Sequence, residues 1–255
     1  MLKSNRQKEI MKVLQTKGSV EISQLCRIFG VVEMTIQRDL SELIQKGGII
    51  RVHGGAILPE DNILSEPPFD IRNRKYQQEK EAIARAAFDM IEDGQKILLD
   101  SGTTTFSLAK IIDNSKRLIV VTNAINIASE LNVRSNVSVL SLGGNMRKNT
   151  LACVGHFTES MISNLKVDIT FLGVGGISET GKLSGGSVAE VGVKQAMIEA
   201  GKQIIVLADS SKIGREEFVL ITNIKNVDLL ITDSKAPEKI INRYKKMGVE
   251  IKIAD

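Results

Sequence analysis

The stretch Asp100-Ser101-Gly102-Thr103-Thr104-Thr105 is unusually well equipped for chemistry. It follows the apolar run Lys96-Ile97-Leu98-Leu99 and opens a segment with helical spacing. A strand that ends in a glycine turn and starts a helix on hydroxyl residues aims backbone N–H groups and side-chain donors at one point. That is a phosphate cradle. The same threonines also suit plain helix capping, and the residues alone leave both uses open. Further candidates stand where other apolar runs end: Thr122-Asn123-Ala124, Gly143-Gly144-Asn145 and Gly173-Val174-Gly175-Gly176. The glycines at 173–176 are a weak signal by themselves, because the acid that completes a dinucleotide fingerprint about 20 residues on is absent. His156 has no nucleophile near it in sequence, and no metal-ligand spacing is visible. No catalytic residue, metal or cofactor is expected.

A second constellation lies between Glu33 and Leu58. Ile36, Leu40, Leu43 and Ile44 stand at i, i+4, i+7 and i+8, one apolar stripe of a helix. The direction opposite that stripe falls on Arg38, flanked by Met34, Ser41, Glu42 and Gln45. A guanidinium aimed away from a packed core suits the guanine edge in the major groove. Gly47-Gly48 stops the helix, Ile49–His53 alternates as a strand, Gly54-Gly55 turns, and Ala56-Ile57-Leu58 returns.

The elements that must position these groups fall into two patterns. Near the start, a helix capped by Ser4 or Asn5 runs to about Thr16, with Ile10, Val13 and Leu14 inward, and Gly18 ends it. A short helix from Val20 to Phe29, a turn at Gly30 and the helix from Glu33 follow. Together with the hairpin this is the order of a winged helix-turn-helix; a three-helix bundle for protein contacts is the alternative. Arg51 and His53 on the wing suit phosphate or minor-groove contact, and a histidine before Gly-Gly equally suits packing of the turn.

Residues 59–74 carry three of the four prolines with little periodicity, which predicts a linker. From Gln77 onward helices alternate with apolar strands. Helices are expected at 77–92, 104–112, 124–131, 187–200 and 237–246. Strands are expected at 96–100, 118–122, 137–142, 169–173, 203–208, 227–232 and 249–253. Continuous apolar strands between amphipathic helices predict an open, mostly parallel α/β sheet covered on both faces, with ligands at the carboxyl ends of its strands. The domains expected are 1–58, a linker 59–74, and 75–255.

The net charge is +4, and all of it sits in residues 1–58, with nine Lys/Arg against five Asp/Glu; the remaining residues carry 25 of each sign. Such an excess suits phosphates, or simply a solvated basic face. Two widely spaced cysteines imply no disulfide framework and fit a reducing cytosol. No apolar run reaches about 18 residues, and the charged start is unlike a signal peptide, so the expectation is a cytoplasmic protein without a membrane.

The stretch Thr35–Ala56, TIQRDLSELIQKGGIIRVHGGA, resembles the DNA-binding signature of DeoR-family bacterial transcriptional regulators across residues 5–58. Two positions depart from that pattern. Val32 stands where the family usually has a helix-capping Ser, and Gln37 replaces the first Arg of a pair. The resemblance implies double-stranded operator DNA as partner, met by Thr35, Gln37, Arg38, Ser41, Arg51 and His53. DSGTTT, VVTNA, LGG..R and E..VK..M resemble the same family's effector domain, which is similar to ribose-5-phosphate isomerase. This implies a phosphorylated sugar held at Asp100 and Gly102–Thr105, with Asn123, Gly144, Arg147 and Lys194 nearby. Arg147 and Lys194 could supply charge-assisted bonds or serve as surface or subunit contacts. The isomerases' carboxylate motif is absent at 173–176, and an acid that family members often keep is missing at Gly175. Glu190 could stand where the isomerase base does, without a matched acid. The expectation is a homo-oligomeric regulator, more a repressor than an activator, of a sugar or polyol operon. A sugar-phosphate isomerase with an appended basic module is the alternative.

Overall fold

A computed structural model describes residues 2–17, 19–45, 49–52, 54–57 and 68–255. The chain divides into two compact units, residues 1–67 and 68–255.

The first unit contains α1 (Lys3–Lys17), β1 (Ser19–Glu21), α2 (Ile22–Phe29), α3 (Glu33–Gln45), β2 (Ile50–Val52) and β3 (Gly55–Ile57). The stripe expected on α3 is buried: Ile36, Leu40 and Leu43 pack with Ile10, Leu14, Val20, Ile22 and Leu25. Val13, Cys26 and Ile44 lie half-buried against that core. Two expectations are corrected. Neither Ser4 nor Asn5 caps α1, because the helix already begins at Lys3 and the Arg6 N–H donates to the Leu2 carbonyl at 3.0 Å. Helix does not begin at Val20, because Ser19–Glu21 joins the wing as a third antiparallel strand, in the order β1-β3-β2. Val20 still points into the core, so its apolar side chain fits either reading. Glycine at 55 is enforced by that pairing, since a Cβ there would lie 2.0 Å from the Val20 carbonyl oxygen. The expected stops at Gly18 and Gly47-Gly48, and the turn residue His53, lie outside the described residues.

The second unit is a seven-stranded parallel sheet in the order β15-β14-β12-β9-β4-β5-β6. Its strands are β4 (Lys96–Leu99), β5 (Leu118–Thr122), β6 (Val137–Ser141), β9 (Val167–Gly173), β12 (Gly201–Leu207), β14 (Leu229–Asp233) and β15 (Glu250–Ala254). All seven fall where the apolar runs predict them. Alternate residues feed opposite layers. Ile97, Leu99, Phe171, Ile205 and Ile231 face α5 (Gln77–Phe88), α6 (Thr103–Ile111) and α7 (Ile125–Leu131). Leu98, Leu172, Val206 and Leu230 face α8 (His156–Ser163), α9 (Val188–Ala200) and α10 (Glu238–Lys246). Two small antiparallel additions, β7 (Asn145–Met146) with β8 (Cys153–Val154), and β10 (Gly176–Ile177) with β11 (Lys182–Gly185) and β13 (Val219–Asn223), escape the sequence pattern. So does α4 (Phe69–Arg74), a helix in the stretch expected to be linker; residues 59–67 of that stretch are not described. No described helix is long and apolar enough to cross a membrane.

Candidate functional site

On α3 the stripe opposite the core is Met34, Gln37, Arg38 and Ser41, at i, i+3, i+4 and i+7. Arg38 is exposed, and its guanidinium forms no ion pair with any described residue. Gln37 is half-buried; its Nε2 donates to Glu33 Oε1 at 2.8 Å, and the Ser41 hydroxyl donates to the Gln37 carbonyl at 2.8 Å. Thr35 is half-buried, its N–H on the Val32 carbonyl at 3.0 Å. Arg51 on β2 is exposed. The next residue after Arg38 faces the other way. Asp39 is 1% exposed and pairs with Arg6 of α1, itself buried, while Gln7 and Lys3 of α1 reach Glu42. Adjacent residues of one helix thus do opposite work: Arg38 is offered outward and Asp39 fixes α1 against α3.

In the second unit the strand order reverses between β4 and β9, with β5 and β6 added on one side and β12, β14 and β15 on the other. Crevices at such reversals are where open α/β sheets hold ligands. Asp100 and Gly173 meet there. The Gly173 N–H donates to Asp100 Oδ2 at 3.0 Å, and Lys194 of α9 pairs with the same carboxylate and donates to the Gly173 carbonyl at 2.9 Å. Both charged side chains are buried. Gly102 is the N-cap of α6 and supplies no side-chain bond to the helix amides. The Thr105 hydroxyl turns back to the carbonyls of Asp100 (2.6 Å) and Gly102 (2.8 Å). The Thr105 hydroxyl is thus spent on backbone carbonyls and caps no helix amide. Thr103 and Thr104 are buried beside this uncapped N-terminus.

Three further groups close the same end of the sheet. Asn123 is buried and doubly tied to Cys153: its Nδ2 donates to the Cys153 carbonyl at 3.0 Å, and the Cys153 N–H returns to its carbonyl at 2.7 Å. Its Oδ1 is buried without a donor among the described residues. Arg147, between β7 and β8, pairs with Glu190 of α9. Glu190 and Lys194 are four residues apart, so one face of α9 presents both ends of this charge network. Gly144 is packed tightly, and a Cβ there would lie 2.1 Å from Thr158 Oγ1.

Residues 75–234 match the DeoR C-terminal sensor domain, and residues 6–62 match the DeoR-like helix-turn-helix domain. The chain belongs to the DeoR family. The Escherichia coli K12 glycerol-3-phosphate regulon repressor is 33% identical over 241 residues, covering 94% of this chain and 95% of that protein. The transcriptional regulator GolR of Listeria innocua is 32% identical over 257 residues and covers the whole of both. A solved structure similar to this chain is ribose 5-phosphate isomerase A of Methanocaldococcus jannaschii, with TM-score 0.40, 19% identity and 54% of each chain covered. This DeoR-family chain is a DNA-binding transcriptional regulator with a sensor domain, and not an enzyme.

Within the DeoR-family chain, the structure brings Asp100, Gly102, Gly173 and Lys194 together directly, and Arg147 joins them through Glu190 on α9. Neither basic residue is a free surface group: Lys194 is 6% exposed, and the Arg147 side chain 18%. At Gly175 the missing acid has a steric counterpart, because a Cβ there would meet Glu217 Cγ at 2.9 Å and the Ser184 carbonyl at 3.1 Å.

The sequence reading overlooked Lys80, 3% exposed, which donates to the carbonyls of Arg72 (2.5 Å) and Lys75 (2.6 Å) at the end of α4. Burial brings its ammonium down to about 8, with nearby Lys212 and Arg72 adding to the fall and Asp209 opposing it. A lysine three residues before Ile83 and four before Ala84, on the apolar side of its helix, was the available signal. Asp209 and Asp233, at the ends of β12 and β14, accept bonds from the Ser211 and Ser210 amides of the following loop.

Proposed function

We propose that this chain is a repressor of a sugar or polyol operon, released or tightened on DNA by a phosphorylated sugar bound between the ends of β4 and β9. The observation that carries this reading is the uncapped N-terminus of α6 at the reversal of the sheet, lined by Gly102–Thr105 and faced by the Asp100–Lys194 pair. Helix amides without a side-chain acceptor are a site for an anion. Arg147 and Lys194 are already matched by Glu190 and Asp100, so a phosphate entering here competes with two internal carboxylates for their donors. A ligand hydroxyl would satisfy the buried Oδ1 of Asn123. α3 enters the major groove with Arg38 and Gln37, while Thr35 and Ser41 line the helix and Arg51 and His53 hold the backbone from the wing.

The effector signal leaves through α4. Phe69 packs its ring edge-on against Phe106 of α6, and its N–H bonds the carbonyl of Asn149 in the hairpin that carries Arg147. Movement of that hairpin or of α6 therefore moves the segment at which the chain passes into residues 58–67. A hundredfold change in operator affinity needs about 2.7 kcal/mol of coupling. The protein acts in the cytoplasm as a homo-oligomer, a dimer or tetramer, because two-fold operators call for paired reading helices.

The test is a thermal-shift screen of the purified chain against sugar phosphates and their unphosphorylated parents. Stabilisation by one phosphate, absent with its parent and reduced in Thr104→Ala, supports the site. A flat melt across the panel overturns it. At a hundredfold excess over Kd the shift corresponds to about 2.7 kcal/mol, well within reach of the method.

A further inference from the structure

We infer that Gln37 is the adenine-reading residue of this regulator, and that Glu33 makes it so by occupying one of its amide hydrogens. This rests on the reading that α3 lies in the major groove. A glutamine amide has two donor hydrogens and one acceptor oxygen. The carboxylate of Glu33 can only accept, so the Gln37 atom facing it at 2.8 Å must be the nitrogen. That leaves one N–H and the Oε1 for other partners. Adenine presents one acceptor (N7) and one donor (N6) to the major groove, which is the complement of what remains. Guanine presents two acceptors, N7 and O6, and Gln37 has only one donor left to meet them.

The neighbouring residues agree with this assignment. Met34, three residues before Gln37 on the same stripe, is 72% exposed, and Val32 at the start of the helix is 71% exposed. Large apolar side chains this open on a reading helix suit the C5-methyl of thymine, which lies in the same groove edge as the adenine it pairs with. The Ser41 hydroxyl already donates to the backbone carbonyl of Gln37, which leaves it less able to compete for the base. Arg38, with no ion-pair partner among the described residues, is left to read guanine. The half-site so assembled is an A·T pair under Gln37 and Met34 next to a G·C pair under Arg38.

The test is selection of bound duplexes from a randomised DNA library with the full chain, repeated for Gln37→Arg, Gln37→Ala, Glu33→Ala and Arg38→Ala, each checked for an unchanged melt. Wild type should select A at one half-site position about tenfold to a hundredfold over G. Gln37→Arg should turn that position to G, Gln37→Ala should flatten it, and Glu33→Ala should narrow the A-over-G ratio. If the Gln37 variants select the wild-type sequence while Arg38→Ala relaxes one position, the helix reads DNA but Gln37 does not, and the inference fails alone. If none of the four variants alters the selected sequence, or wild type selects none, the placement of α3 in the groove fails with it.

Discussion

The backbone N–H of Phe69 donates to the carbonyl of Asn149 at 2.8 Å, tying the first residue of α4 to the loop between β7 and β8. The Phe69 ring meets Phe106 edge-to-face, with centroids 5.2 Å apart and planes at 88°. One residue thus touches two elements of the proposed effector site. Phe69→Leu keeps the bulk and the backbone bond but gives up the aromatic pairing, worth about 0.5–1.5 kcal/mol. We expect it to bind a phosphorylated effector as wild type does, by calorimetry, while the effector's influence on operator affinity shrinks severalfold. Unchanged coupling would remove α4 from the signal route.

Arg38 and Asp39 should respond in opposite ways. Arg38→Ala removes an exposed side chain without an ion-pair partner among the described residues, so the melt stays put and operator affinity falls by about 1–3 kcal/mol. Asp39→Ala removes the buried carboxylate that receives Arg6, a loss of about 3–5 kcal/mol in folding stability. Circular dichroism melts and gel-shift titrations of both variants separate the two roles.

The Asp100–Lys194 pair is buried on both sides, at 1% and 8% side-chain exposure. Lys194→Met should destabilise the second unit by about 3–5 kcal/mol, because Asp100 is left charged in the core. Adding Asp100→Asn to that variant should restore part of the loss, and urea titration of the single and double variants measures the coupling. Additive losses would mean that the two residues act independently.

Lys80 gives the stability a pH dependence of known sign. Its folded ammonium releases its proton near 8, while the unfolded side chain holds its own to about 10.5. Between those values the unfolded chain binds more protons, so the contribution of Lys80 to stability rises with pH across that window and is flat below it. Melts taken from pH 7 to pH 10 should show this rise in wild type, over and above the trend in Lys80→Met. Parallel curves for the two proteins would contradict it.

The parallel sheet was legible because its strands are short apolar runs buried on both faces, and α3 because Ile36, Leu40 and Leu43 repeat at helical spacing. The strand, glycine turn and helix start around Asp100–Thr105 were legible for the same local reason, because the three follow one another in the chain. What stayed hidden was non-local. Val20 is apolar and suits a helix or a strand, and only its pairing with Ala56 decides. β7 and β8 are two residues each, too short for any period. The partners of Arg147 and Lys194 lie 43 and 94 residues away, and no spacing rule connects them.

The strand order also sets a timetable for folding. β4, β5 and β6 are consecutive in the chain and adjacent in the sheet, and β9, β12, β14 and β15 are neighbours in the sheet in the order the chain forms them, with β13 diverted to the small antiparallel sheet. Each group can assemble by closing short crossovers. The seam between β4 and β9 must instead close a far longer loop, with Asp100 and Gly173 meeting across 73 residues. It is the join that local contacts help least, and the one between a part of the sheet synthesised early and a part synthesised later. On the proposed function, a ligand seated against Asp100 and Gly173 would fasten that join. Beyond the signal proposed for it, such a ligand would then act as a staple that slows the sheet from parting into its two halves.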